Sequence, residues 1–442
     1  MANKPNIDWY QNRFKTWEAT MNGASQTPLH AVRREAIDAF ARTGFPTTRN
    51  EEWRFTNVAP LAERQFRPVV APAHAARADV EKFLFPGLNG SRLVFVNGHY
   101  APEHSAVAAL PKGTRVESLA AALRSDPGFV LRHVAARARP EDDPFTVLNT
   151  AFVQDGAFIY LPDGTQLEEA IHLMFLASGG EELQNPRNVI VTGRDCRLSI
   201  VETYHTTGTP LYWTNVVSEV VLGEKTVLEH DKLQAESVHA FHVGTTNIAQ
   251  AAGSRVTSNS IAFGGAIVRN NVNVRLGGEQ SECTLNGLSV ATGTQLIDNH
   301  TAIDHAMPNC ASHELYKAIH DGKSRGVFNG KIFVRQDAQK TDAKQTNKTL
   351  LLSDDATIDT KPQLEIFADD VKCTHGATVG QLDEDQVFYL RSRGIAEDEA
   401  RDILTFAFAS DVAGRVHVDP LRDQLDAMLH ARLRQGRVSG QD

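Results

Sequence analysis

NVNVRLGG, residues 271–278, is the stretch that decides the fold, because its apolar residues occupy every second position. Successive side chains of a β-strand point to opposite faces, so this alternation predicts a strand with one dry and one wet face. The apolar residues of the stretch are Val272, Val274 and Leu276, and the polar residues that alternate with them are Asn271, Asn273 and Arg275. The glycine pair that follows marks a corner of the chain.

Short runs of this kind recur from about residue 145 to residue 390, where helical periodicity is mostly lost. They include AFIYLP, RLSIVETY, NVVSEVVLG, CTLNGLSVA, KIFVRQ and LEIFADDVKC, separated by Gly, Asn and Asp. Such a series of short strands indicates an all-β region, which a sandwich, a barrel or a solenoid would satisfy. Sparse hairpin signals and small residues at the corners favour a parallel β-helix, although no strict repeat is visible.

Helical patterns flank the β-rich region on both sides. TPLHAVRREAIDAFARTGFP predicts a helix that is capped by Thr27, begins at Pro28 and stops at Gly44. We therefore expect three regions: a mixed, mostly helical N-terminal domain over residues 1–140, a parallel β-helix core over 141–390 and a C-terminal helical domain over 391–442.

The sequence DPLRDQLDAMLHARLRQG predicts the last helix, with Asp419 as its cap, Pro420 in the first position and Gly436 as its stop. Its continuous apolar stripe consists of Leu421, Leu425, Met428, Leu429 and Leu433. Such a stripe can cover the open end of a solenoid or receive a partner helix. Because solenoid ends need a cover, the sequence alone favours capping.

The composition is typical of a soluble globular protein, with 442 residues, 41% hydrophobic content and 22% charged content. A net charge of −9 argues against a partner held by neutralising nucleic-acid phosphates. Neither a membrane-spanning apolar run nor a secretory signal is visible, so we expect a cytoplasmic protein without a membrane partner. The scattered cysteines form no CxxC pair and are expected to be thiols: Cys196, Cys283, Cys310 and Cys373.

The usual motifs of a self-sufficient enzyme are absent from the sequence, which contains no P-loop, no GxSxG elbow and no HExxH. Acidic residues such as Asp383 and Asp385 would need i, i+2 spacing on a strand to act together, and more often form turns. The histidines of DNHTAIDHAMPNCASHELYKAIHDG match no zinc spacing, which favours packing or surface roles for them. We therefore expect a protein that is not an enzyme.

VKCTHGATVG, residues 371–380, contains a cysteine and a histidine two positions apart. On a strand, Cys373 and His375 project from one face, roughly 6–7 Å apart along it, and thiolate and imidazole both suit iron–sulfur or soft metal centres. Phe367 and Val371 also lie an even number of residues from Cys373, so on a continuous strand they would share its face. Their apolar side chains favour a dry, inward face and ordinary packing. Two ligands do not complete a metal site, so both interpretations stay open at this point.

Several long segments together resemble the SufB/SufD family of scaffold subunits of the Suf iron–sulfur cluster assembly system, and its SufD branch in particular. They are NVNVRLGGEQSECTLNGLSV, DNHTAIDH, HELYKAIHDGKSRGVFNGKIFVRQDAQKTDAKQTNKTLLLSDD, DTKPQLEIFADDVKCTHGATVGQLDEDQVFYLRSRGI and NEEWRFTN. The resemblance is strongest from about residue 140 onward. It implies a right-handed parallel β-helix core between N-terminal and C-terminal helical domains.

The resemblance also implies partners and a site. The C-terminal helices would dock the SufC ATPase, and a transient iron–sulfur cluster would form at the interface with SufB and pass to apo iron–sulfur proteins. His375 is the main candidate ligand from this chain, with Cys373 as a weaker ligand or a support. SufB proteins carry a cysteine where this chain has Asn347, so the isolated chain would hold no cluster.

Two other hypotheses remain. One is a homodimer that forms through edge strands when SufB is absent. The other is a β-helix enzyme that acts on a polysaccharide, which rests on analogy of fold alone. An outer groove with carboxylates, arginine and aromatic residues would favour the enzyme.

Overall fold

The computed structural model describes residues 4–21, 26–135 and 143–438. Its α-helices are α1 (Lys4–Glu18), α2 (Pro28–Thr43), α3 (Ala59–Ala62), α4 (Arg77–Glu81), α5 (Leu119–Ser125), α6 (Pro127–Leu131), α7 (Pro144–Ala151), α8 (Glu384–Ser392), α9 (Glu397–Ala413) and α10 (Asp419–Val438). The helices thus lie before and after a long run of strands, as the sequence predicts.

The strands before residue 200 are mostly short. They are β1 (Arg67–Pro68), β2 (Arg92–Val96), β3 (His99–Tyr100), β4 (Arg115–Ser118), β5 (Ala157–Leu161), β6 (Ile171–Ala177), β7 (Glu182–Gln184), β8 (Arg187–Thr192) and β9 (Arg197–Thr206). The later strands are nearly uniform in length. They are β10 (Trp213–Leu222), β11 (Val227–Ala235), β12 (Phe241–Gln250), β13 (Arg255–Ala262), β14 (Ile267–Leu276), β15 (Glu282–Ala291), β16 (Leu296–His305), β17 (Ala311–His320), β18 (Arg325–Val334), β19 (Asp342–Leu351), β20 (Thr357–Ile366) and β21 (Lys372–Gly380).

From β8 onward, consecutive strands alternate between two parallel sheets, and each strand up to β19 pairs with the strand two positions further along the chain. Sheet 1 has the order β20-β18-β16-β14-β12-β10-β8-β5-β4, and sheet 2 the order β21-β19-β17-β15-β13-β11-β9-β6-β2-β3. Two pairs at the N-terminal end, β2 with β3 and β4 with β5, are antiparallel. This is a parallel β-solenoid of about eight turns, which confirms the predicted β-helix.

The alternation in NVNVRLGG holds. Val272, Val274 and Leu276 are buried inside the solenoid, whereas Arg275 on the opposite face is exposed. Side chains from the two sheets meet in an interior cluster that also includes Cys283. The interior of the coils therefore provides the core, as period-2 patterning requires.

Helices α1, α2 and α7 cover part of the outer face of sheet 1, whereas α4 packs on β2 and β6 of sheet 2. The prediction for α2 is confirmed, since the helix begins at Pro28, has Thr27 as its N-cap residue and ends before Gly44. Gly44 has φ +63°, and a Cβ on it would lie 2.7 Å from Ile7 Cδ1, so the turn favours glycine. Strand β2 pairs with β6, so sheet 2 extends into the segment before residue 141.

The C-terminal helices cover the outer face of sheet 2, with α9 against β15 and β17. The apolar stripe of α10 packs into a shared cluster: Leu421, Leu425 and Leu429 with Val412 of α9 and Leu288 and Ile319 of sheet 2. The prediction that these helices cap the open end is therefore wrong, because their apolar residues pack on the outer face of sheet 2 instead. Helix α10 also continues to Val438, past Gly436, and the Leu433 side chain lies outside the described residues. Within the described residues, no helix combines the length and hydrophobicity needed to cross a bilayer.

A candidate half-site at the open end of the solenoid

The last coil of the solenoid is open. In the part of the chain that the structure describes, β20 and β21 pair only with β18 and β19, so each leaves one edge free. Residues of both strands are exposed or half-buried along their whole length. A free edge presents unpaired backbone groups to any chain that approaches.

Cys373 and His375 lie on β21, at this free end. The strand confirms that their side chains project from one face, and their register partners on β19 are Ala343 and Gln345. Cys373 is half-buried against the apolar cluster around Ala343, whereas His375 is exposed. Burial raises the pKa of the Cys373 thiol, so a metal would have to displace its proton.

The expectation of a dry face across this region was wrong for Phe367, which is 59% exposed and contacts Phe333 with ring centroids 5.2 Å apart. Val371 is half-buried and packs beside Cys373. The chain leaves β20 after Ile366 and enters β21 only at Lys372, so side-chain parity does not carry over from one strand to the next. The face that carries His375 is open to solvent.

Cys373 and His375 have no third ligand beside them in the part of the chain that the structure describes. Among the described residues, no group of three or more His, Cys, Asp or Glu side chains is placed to hold a metal ion. Asn347, two positions beyond Gln345, is buried, and its Nδ2 donates to the Tyr316 carbonyl oxygen at 3.3 Å. Cys373 and His375 are thus a candidate half-site with two donors, and a metal or cluster would need ligands from elsewhere.

Below the half-site lies a buried polar pair that the sequence did not reveal. Gln345 Nε2 donates to Glu314 Oε2 at 2.6 Å, and both side chains are at least 97% buried. Burial raises the pKa of Glu314 to about 7. In the sequence, Glu314 and Tyr316 occupy alternate positions of β17 that face inward. This alternation is hard to recognise because part of the outer face of the same strand is buried as well.

The other candidates from the sequence do not come together. Asp383 is the N-cap residue of α8 and accepts from the Asp385 backbone N–H, so the two carboxylates do not share a strand face. His305 and His320 are buried inside the solenoid, where burial lowers the pKa of each to about 4. His300 lies instead on the outer face of sheet 1.

A groove of about 410 Å³ runs along that outer face beside the NEEWRFTN segment. Arg269 stacks 4.2 Å from the Trp53 ring centroid and donates from Nη1 to Asp298 Oδ2 at 2.5 Å. His300 Nδ1 lies 3.5 Å from Glu52 Oε2. The groove has the residue types that a polysaccharide enzyme would use, but these charged groups are engaged with one another, so the groove does not favour that hypothesis.

A second exposed surface lies on the C-terminal helices. Phe388 and Tyr389 of α8 are 70% and 56% exposed, and Ile403 of α9 is 41% exposed. We call these three residues the α8–α9 patch. Helices α8 and α9, which carry these residues, contact each other. Clustered exposed apolar side chains mark interaction surfaces more often than isolated ones do.

Residues 175–408 match the family model described as the SUF system FeS cluster assembly SufBD core domain, and residues 5–173 match the SufBD protein N-terminal region. Together the two models cover nearly the whole chain.

The chain is also similar to individual proteins over most of its length. An iron–sulfur cluster assembly SufBD family protein of Synechocystis is 35% identical over 94% of this chain and 93% of its own. The iron–sulfur cluster assembly protein SufD of Escherichia coli is 31% identical over 98% and 99%. The chloroplastic protein ABCI7 of Arabidopsis thaliana is 29% identical over 91% and 85%.

Proposed function

The chain belongs to the SufBD family of iron–sulfur cluster assembly proteins, and on that premise we propose that it is a scaffold subunit that contributes half of a cluster-forming site. SufB supplies the other half along the free edge of the last coil, and the SufC ATPase docks on the C-terminal helices. The cluster is cargo that passes to apo iron–sulfur proteins, and the isolated chain holds none. Without SufB, the same edge pairs with a second copy of the chain.

The observation that carries the proposal is the position of Cys373 and His375 on the last, unpaired strand of sheet 2. A strand of SufB that pairs along this edge would bring its own side chains within a few ångströms of both residues. His375 is the principal ligand, because a neutral imidazole binds iron without losing a proton. Cys373 is the secondary ligand or a support, since its thiol is half-buried and its pKa is raised.

The α8–α9 patch supports the second interface. Exposed aromatic residues beside an aliphatic one are typical anchors of protein–protein contacts. Helix α9 packs on β15 and β17, which lie further from the free edge than β19 does, so SufC could bind the C-terminal helices while SufB occupies that edge. Movement of SufC during ATP hydrolysis would then reach the half-site through α9, which packs on β15 and β17.

The test is His375→Ala in the complex with SufB and SufC, reconstituted under anaerobic conditions with iron and a sulfide source. We expect the complex to assemble and its iron content and cluster yield to fall severalfold, because one ligand is missing. His313→Ala is the matched control, since His313 is an exposed histidine on the outer face of β17. Unchanged cluster yield in His375→Ala would contradict the proposed role.

A further inference from the structure

A column of inward-facing side chains crosses sheet 2 and ends at the half-site. Glu314 on β17, Gln345 on β19 and His375 on β21 are successive register partners. Register partners in a parallel sheet lie on the same face, about 5 Å apart. His375 is therefore the exposed last member of a column whose preceding members are buried.

The Gln345 amide is held in one orientation. Its Nε2 donates to Glu314 Oε2 at 2.6 Å, so its nitrogen points back along the column. Across the interior, a Cβ at position 330 would lie 2.2 Å from this nitrogen, so Gly330 provides the space that the amide occupies. The oxygen is bonded to the same carbon and diverges from the nitrogen, so it is not the atom that Glu314 engages.

The amide oxygen lacks a hydrogen-bond donor. Gln345 Oε1 is buried and has no partner among the described residues. An unsatisfied buried acceptor destabilises the protein, so the site is incomplete until a donor arrives. The nearest member of the column with a free N–H is His375, whose ring is exposed in the isolated chain.

We propose that Gln345 is a positioning residue for the half-site: its Oε1 accepts a hydrogen bond from a His375 ring N–H once a partner chain covers the free edge, and Glu314 anchors the amide. This bond would fix the tautomer of His375, so that the other ring nitrogen presents its lone pair to iron. The proposal rests on the proposed function, because it requires His375 to be a ligand.

Ferrous iron binding to the full chain in its anaerobic complex with SufB and SufC tests the proposal. Gln345→Met keeps the length of the side chain but removes the acceptor, and we expect Fe²⁺ affinity to fall by about 10- to 100-fold. The double change Glu314→Gln with Gln345→Glu reverses donor and acceptor within the pair and keeps an acceptor next to His375. We expect it to restore most of the affinity, because an acceptor again lies next to His375. A merely structural role of Gln345 would instead make Fe²⁺ affinity follow the unfolding temperature across the variants.

Thr349→Val is the matched control. Thr349 is buried on the same strand, its Oγ1 also lacks a partner among the described residues, and its register partner is Val379, which cannot bind iron. We expect this isosteric change to leave Fe²⁺ affinity unaltered. Circular dichroism and thermal unfolding establish that each variant is folded. If Gln345→Met folds poorly, Gln345→Asn takes its place, since it keeps a buried amide but withdraws its oxygen by one methylene.

The outcomes separate the two proposals. Unaltered Fe²⁺ affinity in Gln345→Met, or in Gln345→Asn where it replaces Met, would overturn the positioning role. A folded double variant that stays as weak as Gln345→Met would do the same. Unaltered affinity in His375→Ala would instead show that the proposed function is wrong.

Discussion

At the scale of single residues, Asp298 carries a carboxylate whose pKa is set by charged and polar groups near the N-terminal domain. It is fully buried and accepts hydrogen bonds from Arg269 and from the Thr56 hydroxyl, with His300 Nε2 3.0 Å from its Oδ1. Burial alone would raise the pKa of Asp298, but Arg269, His300 and Thr56 together outweigh it and lower the pKa to about 2. Asp298 thus ties the NEEWRFTN segment to β16.

We expect Asp298→Asn to lower the free energy of unfolding at pH 7 by about 3–5 kcal/mol, because it leaves Arg269 buried without a counter-charge. The folded-state pKa lies below the ordinary value of 3.8, so this stabilisation is complete above that pH and is lost as the pH falls towards about 2. Denaturant unfolding of the variant and the unaltered chain, compared at pH 7 and in acid, measures both effects.

The control for this change is Asp304→Asn on the same strand. Asp304 forms a partly exposed ion pair, with Arg335 Nε 2.8 Å from its Oδ1. Such pairs contribute up to about 1 kcal/mol, so the loss of stability should be small. Equal losses in the two variants would show that the burial of the Arg269–Asp298 pair is not decisive.

Parity along a strand predicted the geometry of the half-site but not its surroundings. Cys373 and His375 share a face because both lie within β21, whereas Phe367 lies beyond the end of β20 and follows no common parity. Glu314 escaped notice for a different reason. Towards its C-terminal end β17 is covered on both faces, by the interior and by α9, so its sequence shows little of the contrast between dry and wet positions that reveals an inward residue.

At the scale of elements, the α8–α9 patch allows a direct test of the second interface. We expect Phe388→Asp to weaken SufC binding by at least 2 kcal/mol, roughly 30-fold, because it replaces an exposed aromatic anchor with a charge. Isothermal titration of SufC into the full chain measures the change. The chain should stay folded, since Phe388 is 70% exposed and contributes little to the core.

Val107→Asp provides the comparison for the patch. Val107 is also an exposed apolar residue, but it lies in the N-terminal part of the chain. We expect SufC to bind this variant with unaltered affinity. If both changes weakened binding equally, or if neither did, SufC would dock at another surface.

The limits of α2 and the position of α10 show what local sequence can and cannot predict. Thr27, Pro28 and Gly44 determine where α2 begins and ends through contacts within a few residues of the chain. The apolar stripe of α10 predicts that one face is buried, and that is correct. Which surface buries it depends on strands more than 100 residues away, so the sequence pattern could not distinguish an end cap from a cover of sheet 2.

At the scale of the whole molecule, alternation within strands predicted an all-β core but left its architecture open. The solenoid depends on pairing between strands about 30 residues apart, such as Arg269 with Asp298, and parallel ladders of this kind leave no short-range hairpin signal. Successive coils stack as long as their inward side chains pack together, so the sequence needs no strict repeat. The resemblance to a known family settled the choice, and the sheet order agrees with it.

The free edge of β21 makes a prediction about assembly. Lys372 N–H donates to Thr341 O on the side of β19. Backbone groups of a parallel strand alternate between its two neighbours, so the N–H of Ala377, at odd separation from Lys372, faces the free edge. We expect Ala377→Pro to leave the fold intact, since proline is tolerated where the N–H faces solvent, and to impair pairing with SufB and with a second copy.

Sedimentation velocity of the chain alone and with SufB measures this effect, with Thr378→Pro as the comparison. The N–H of Thr378 is directed towards β19, so that change removes a ladder hydrogen bond and should lower the unfolding temperature, which Ala377→Pro should not do. Ala377→Pro should also lower the iron content of the complex, because the half-site receives its remaining ligands only when the edge is paired. Normal pairing and iron content in a folded Ala377→Pro variant would place the interface, and with it the completed site, elsewhere on the molecule.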